Sequence, residues 1–351
     1  AVRRPCPATD DLTRPAPAVP VRIRHIPPEE VMEIRSLDGD DPATISLLLP
    51  GFQETMSLEL PGDPPVSPNL LARLLQRRHG ADRIVLVAFV AGRPAGCVKL
   101  GLDESTPDGP GHGSLWVFPS HRRRGAGTAL VSAARAELRR RSRGSLMIDA
   151  PHTPAAEAFA AGHGAVLRGT NLRNRLVVRG PVRTGLAELA GRTVGGHRLV
   201  HWRDHCPAEL IESYARAWGT LDASVNGQAG IRRPTADDVR SREAEAGRTG
   251  HRQYVSAALA EDSDEICGYA TLLVRDSPMA DTGETLVLAG RRRRGLGTWL
   301  KAHVLSWAAD DNEHLALVQA WNDVRNTPIV ALNRRLGFRA DSSWSTYALP
   351  C

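Results

Sequence analysis

Lysine is nearly missing from this 351-residue chain: Lys99 and Lys301 are the only two. The net charge of +6 is therefore carried by arginine, alongside abundant Ala, Gly and Pro, as in GC-rich coding sequences. Aromatic residues make up 5% of the chain, and none forms an RNA-binding signature beside a basic run. The densest run, Arg139–Arg141 with Arg143, reads as a solvated helix end, so no nucleic-acid partner is expected. Cysteine is sparse and odd in number (Cys6, Cys97, Cys206, Cys267, Cys351), with no C-x-x-C pair and no histidine cluster at zinc spacing. Free thiols in a reduced cytoplasmic protein, without a metal, fit that pattern. No stretch approaches the roughly 18 apolar residues of a membrane span. Residues 1–20 lack the apolar run of a signal peptide and read as a Pro-rich disordered tail. G-x-G-x-x-G is also absent, which argues against a dinucleotide-binding loop.

Two strings stand out against these absences. Residues 122–128 read RRRGAGT and residues 292–298 read RRRGLGT, their glycines 170 positions apart. Each follows an apolar run (LWVF at 115–118, TLVL at 285–288) and opens a helix-like segment. A strand, a glycine loop and a helix N-terminus together present free backbone N–H groups to a phosphate.

The rest of the chain repeats around them. The first half carries a strand candidate at 21–26, a helix start at Pro27–Glu30 and a helix at 68–79. A hairpin of 84–90 with 96–102 follows, then a strand at 145–150 and a short helix at 153–165. The second half carries a strand at 197–202, helices at 206–221 and near 235–246, and a hairpin of 254–260 with 267–274. It ends with a strand at 315–322 and a helix segment at 326–338. Gly96 and Gly268 are 172 apart, so whole domains repeat. The expected organisation is a first domain at 21–180, a linker at 181–196 and a second domain at 197–351. Segments 38–66 and 223–250 read as irregular acceptor loops. The fold class is α/β, a mixed sheet with helices on both faces in each domain.

This pattern resembles the GCN5-related N-acetyltransferase (GNAT) family as a tandem pair, in the two-domain manner of mycothiol synthase. The resemblance covers about residues 20–350. It rests on Arg292, Gly295 and Gly297 and on WNDVRNTPIVALNRRLGF at 321–338. It implies two tandem domains, each with a mixed, mostly antiparallel sheet flanked by helices. It also implies acetyl-CoA, or another acyl-CoA, as cosubstrate, with transfer to an amine. Arg292, Arg293, Arg294, Gly295, Leu296, Gly297 and Thr298 would hold the pyrophosphate. A backbone N–H near Leu286, Val287 or Leu288 would polarise the thioester, and Asn326 would touch the pantetheine arm. The implied general base is Glu284, with Asp281 and Asp276 as fallbacks; a solvent-facing strand residue is the competing reading of Glu284. Where the family places a proton-donating tyrosine, this chain has Asn333.

In the first half Arg122, Gly125, Gly127 and Thr128 keep the loop. Glu284 is replaced by Ser114, Asn326 by Thr153, Asn333 by Ala160 and Phe338 by Ala165. The chemistry is therefore expected in the second half, on a small-molecule amine. A protein or peptide acetyltransferase and a non-catalytic coenzyme A-binding module are the alternatives. His112 reads as a surface-loop residue, and Trp321 and Trp344 as buried in the sheet. The oligomeric state stays open; a monomer of two repeated domains fits.

Overall fold

Two hairpins organise the fold, and each is encoded by an uninterrupted apolar strand turning back on a second one. The computed structural model describes residues 32–226, 233–261 and 263–351. In the first half, β1 (Met32–Leu37), β2 (Ala81–Val90), β3 (Arg93–Asp103) and β4 (Gly111–Val117) form an antiparallel series, and β5 (Ser145–Pro151) joins β4 in parallel. The second half repeats the series with β7 (His197–Arg203), β8 (Arg252–Ala260), β9 (Ile266–Val274), β10 (Met279–Val287) and β11 (Leu317–Asp323). The expected strand at 21–26, the helix start at 27–30 and the tail at 1–20 lie outside the described residues.

The last strand of each half crosses over. Strand β6 (Val166–Val177) pairs with β11 of the second half, and β12 (Arg339–Pro350) pairs with β5 of the first. The two exchanged strands also pair with each other, so the sheet is continuous: β1-β2-β3-β4-β5-β12-β6-β11-β10-β9-β8-β7. Core packing follows the exchange. Tyr347 and Leu349 of β12 are buried in the first half's core, and Leu176 of β6 in the second's. Each sequence repeat thus completes the other's sheet.

Both faces carry helices. On one face of the first half lies α3 (Ala126–Arg140), whose Ala126, Leu130, Ala134 and Leu138 recur every four residues and point at the sheet. On the opposite face lie α1 (Pro42–Glu59) and α2 (Pro68–Leu75), packed on Val85, Val87, Phe89 and Cys97. Segment 38–66, expected to be irregular, is mostly α1. Asp41 caps it and Pro42 opens it, while Pro50 sits in its interior. Pro50-Gly51 is the breaker pair that obscured the helix in the sequence. The short helix α4 (Pro154–Gly162) precedes β6.

In the second half α6 (Ile211–Asn226) and α7 (Ala236–Arg248) cover one face, and α8 (Leu296–Asp311) the other. Segment 223–250, expected to be irregular, is helical through Asn226 and again over α7; residues 227–232 lie outside the described residues. Residues 181–196, expected as a linker, include most of α5 (Gly180–Ala190). Its Leu186 is buried against α8, and Trp299 Nε1 donates to the Ala190 carbonyl at 3.1 Å. This cover explains why α8 is apolar on nearly all sides. A final helix, α9 (Thr327–Arg335), leads into β12.

Candidate active site

The two glycine loops fold alike. Gly125 and Gly295 are the N-caps of α3 and α8, with φ of 89° and 87°. Arg123 and Arg293 also have positive φ, 63° and 62°, so the loops share one backbone path. An added Cβ would meet nothing at Gly125 or Gly295; glycine stands there for the left-handed conformation. The second glycine has another reason. A Cβ on Gly127 would come within 3.0 Å of Phe159, and one on Gly297 within 3.1 Å of Leu332. The close approach at this position is to side chains of α4 and α9.

The helix starts combine two features. Helices α1, α2, α4, α7 and α9 are capped by Asp41, Ser67, Thr153, Thr235 and Asn326, whereas α3, α5 and α8 have no side-chain cap, and of these α3 and α8 start from a left-handed glycine. Their first-turn N–H groups are left for an outside acceptor, beside three exposed arginines in each loop. These residues fit a pyrophosphate.

Next to each loop the sheet opens. Strand β10 pairs with β11 only over Met279–Asp281, then diverges; β4 leaves β5 beyond Gly113 in the same way. Leu286 pairs with Tyr269, and the Leu288 N–H donates to the Cys267 carbonyl at 2.9 Å. Strand alternation then turns the Val287 N–H away from β9, towards the opening. Of the three residues expected to supply this donor, Val287 has the right direction. Its carbonyl accepts from Arg292 Nε at 2.9 Å, so Arg292 braces the strand end as well as charging the loop.

The halves differ around these common parts. The register of β10 against β9 shifts between Thr282 and Thr285, a bulge that contains Gly283 and Glu284, while β4 pairs with β3 regularly over the corresponding stretch. Arg122 donates to Glu59 at 2.8 Å, whereas Arg292 has no carboxylate partner among the described residues. The Thr128 hydroxyl is engaged by His163 Nε2 at 3.3 Å; Thr298 has no such partner among the described residues.

The bulge aims Glu284 at the α6–α7 face. It accepts from Arg242 of α7 and, at 3.2 Å, from the Thr271 hydroxyl of β9. Arg242 in turn lies 4.8 Å over the Trp218 ring. Burial opposes the charge of Glu284, but the Arg242 guanidinium outweighs it and holds the carboxyl below its ordinary range. The fallback acids are engaged elsewhere. Asp281 makes a two-pronged pair with Arg275, both contacts 2.6 Å, and Asp276 accepts from Ser67 at 2.7 Å. In the first half the positions of Thr271 and Glu284 are taken by Lys99 and Ser114, which face each other across β3 and β4. Burial, then Arg83 and Arg78, lower the Lys99 amine to about 7.

Asn333 is buried and fully engaged: Oδ1 accepts from Lys301 Nζ at 2.7 Å, and Nδ2 donates to Asn322 Oδ1 at 2.7 Å. Lys301 is only 3% exposed, and burial lowers its amine to about 7. Asn326 spends its side-chain oxygen capping α9 at 3.5 Å, as Thr153 caps α4 in the first half. His112 lies exposed on β4, in a strand and not a loop. Trp321 is 40% exposed, against the expected burial, and makes an edge contact with Trp344 at 5.2 Å. The sequence reading missed Arg242, Thr271 and Lys301. Lys301 did carry a signal, as one of two lysines in an arginine-rich chain.

Among the described residues no group of His, Cys, Asp and Glu is placed to hold a metal ion, and no helix is long and apolar enough to cross a membrane. A search of curated protein sequences finds no match. Among solved structures, a tandem GNAT protein from the clavulanic acid biosynthesis pathway is similar. It has a TM-score of 0.77 and 23% identity, over 91% of this chain and 98% of the other. A GCN5-related N-acetyltransferase from Sphaerobacter thermophilus gives 0.65 and 15%, over 91% and 95%. A glucosamine N-acetyltransferase region of a fungal multi-domain beta-N-acetylglucosaminidase gives 0.59 and 15%, over 91% and 38%. At these identities the likeness concerns the fold. The sequence model of the acetyltransferase (GNAT) family matches twice, at residues 52–165 and 210–338. With an uncapped glycine-loop helix beside an opened strand pair in each half, this chain belongs to the GNAT acetyltransferase family.

Proposed function

We propose that this chain transfers an acyl group, acetyl by default, from acyl-CoA to the amine of a small molecule by direct attack, and that the second half does the chemistry. The observation that carries the assignment is the bulge in β10, which turns an ionised carboxylate, Glu284, towards the α6–α7 face beside the opened strands. The first half has a regular strand and a serine there.

In this reading the N–H groups of Leu296, Gly297 and Thr298 bind the pyrophosphate, with Arg292, Arg293 and Arg294 adding charge. The Val287 N–H donates to the thioester oxygen as negative charge develops on it. The amine nitrogen bonds to the carbonyl carbon, and the carbon–sulfur bond breaks. Glu284 accepts the amine proton through water. Arg242 and Thr271 keep it weakly basic, so the proton passes on to solvent. Asn333 is committed to Lys301 and Asn322, and the thiol, with a pKa of about 8.5 like cysteine, leaves as thiolate.

Free-thiol release from acetyl-CoA, screened against a panel of small amines and peptides, tests the assignment. Amine-dependent release with small amines supports it. Release only with peptides favours a protein acetyltransferase. Coenzyme A binding without release under any acceptor favours a non-catalytic module and contradicts the proposal.

A further inference from the structure

A cleft of about 270 Å³ lies between α2 of the first half and α7, β9 and β10 of the second. Arg73, Arg242, Thr271, Asp281 and Gly283 are among its lining residues. Gly283 and Thr271 flank Glu284, so the cleft adjoins the proposed acyl-transfer site. Two of the charges in it are already matched: Arg242 by Glu284 and Asp281 by Arg275. Arg73 has no ion pair and no hydrogen bond among the described residues; Asp281 and Glu245 act on its charge only from a distance, against Arg78 and Arg242. His251, 1% exposed, stands close enough to Arg73 and Asp281 to feel both, and its Nε2 is buried without a partner. Burial and the nearby Arg78 lower the Arg73 guanidinium to about 10, which leaves it charged at neutral pH.

A guanidinium held in a cleft with no hydrogen-bonded partner is costly unless something anionic binds it, and its fork matches a carboxylate or phosphate. We infer that the acceptor amine carries an anionic group bound by Arg73 of the first half, while its nitrogen lies at Glu284 of the second. The cavity sits at the small end of ligand pockets, which suits an acceptor of amino-acid size. The first half then has a function apart from its glycine loop: it supplies the recognition arginine. This inference rests on the proposed acyl-transfer reading for the placement of the amine nitrogen.

Matched probes test it on the full chain: 4-aminobutyrate against n-butylamine, and O-phosphoethanolamine against ethanolamine. Each is measured by thiol release and by calorimetric binding with coenzyme A present, for wild type, Arg73→Gln and Arg73→Lys. In wild type one anionic probe should be preferred over its neutral partner, and which pair shows it separates carboxylate from phosphate. In Arg73→Gln that preference should shrink about 10- to 100-fold, the scale of losing a charge-assisted hydrogen bond. Arg73→Lys should keep part of it. Equal binding of anionic and neutral probes, including no detectable binding of either, overturns the inference. So does a preference that survives Arg73→Gln. A binding preference with no thiol release by any amine keeps the anion site and refutes acyl transfer instead.

Discussion

Lys301 offers a sharp physical test, because a buried amine records its environment as a pH dependence of stability. Its side chain is 3% exposed and has Asn333 Oδ1 as partner at 2.7 Å. Burial lowers its pKa from 10.5 to about 7. Above the unfolded value both states are neutral and folding carries no charge-burial cost. As pH falls towards 7 the unfolded chain binds a proton that the folded chain does not, so stability is lost. In the window from about pH 7 to 8.5 stability should therefore rise with pH, by about 1.5 kcal/mol from this residue. Lys301→Met removes that slope. It also leaves Asn333 Oδ1 without its donor, a cost of about 1–3 kcal/mol that does not vary with pH. Lys99 titrates in both proteins and cancels in the difference. Urea unfolding followed by tryptophan fluorescence, at several pH values in this window, gives the two curves. Wild type should gain about 1.5 kcal/mol on the variant between pH 7 and 8.5, so the curves lie furthest apart at pH 7, with the variant the more stable, and approach each other towards pH 8.5. Parallel curves would refute the claim that burial neutralises this amine.

Three further outcomes follow from the same structure. Glu284→Gln should lower turnover about 10²–10⁴-fold, the scale of losing a general base, with near-normal turnover removing Glu284 from the chemistry. Arg173 is 1% exposed and binds Asp63 at 2.5 Å, Asp341 at 2.7 Å and Gln319 at 2.8 Å. Arg173→Met leaves Asp63 and Asp341 only their longer pairs with Arg175, at 3.6 and 4.0 Å, and should cost about 1.5–3 kcal/mol in urea unfolding, the scale of a hydrogen bond to a charged group; a loss below 1 kcal/mol would show the pairs to be superficial. Because β6 and β12 are exchanged, wild type should unfold in one calorimetric transition. Two separated transitions, one per sequence half, would contradict the shared sheet.

Much of this organisation was legible because it is written locally. The hairpins 84–102 and 254–274, the helix after each glycine loop and the equivalence of Asn326 with Thr153 are set by apolar runs, turn residues and caps within a few positions. What was not legible depends on partners distant in sequence. Helix α1 was masked by Pro50-Gly51, and its packing on Phe118 and the β2–β3 face, which the local sequence does not show, adds to its Asp41 cap. Strand β1 alternates Met32, Ile34 with Glu33, Arg35, but its place is fixed by pairing with β2 about fifty residues away. The exchange of β6 and β12 leaves no local mark. At the site, Glu284 stood out as an acid on a strand before the loop. Its control by Arg242 did not, since the contact spans 42 residues and needs the bulge at Gly283. The amide of Asn333 was visible, but its engagement by Lys301 was not.

The central claim is that one of two similar loops serves catalysis. Gly125 and Gly295 share the same left-handed conformation, so an identical substitution imposes matched backbone strain on each. The direct measurement is amine-dependent thiol release from acetyl-CoA by wild type, Gly125→Glu and Gly295→Glu, each checked for folding by circular dichroism. Gly295→Glu should abolish release by placing a carboxylate where the pyrophosphate binds, while Gly125→Glu keeps most of it. Equal losses in the two variants, or a loss confined to Gly125→Glu, would contradict the assignment of chemistry to the second half.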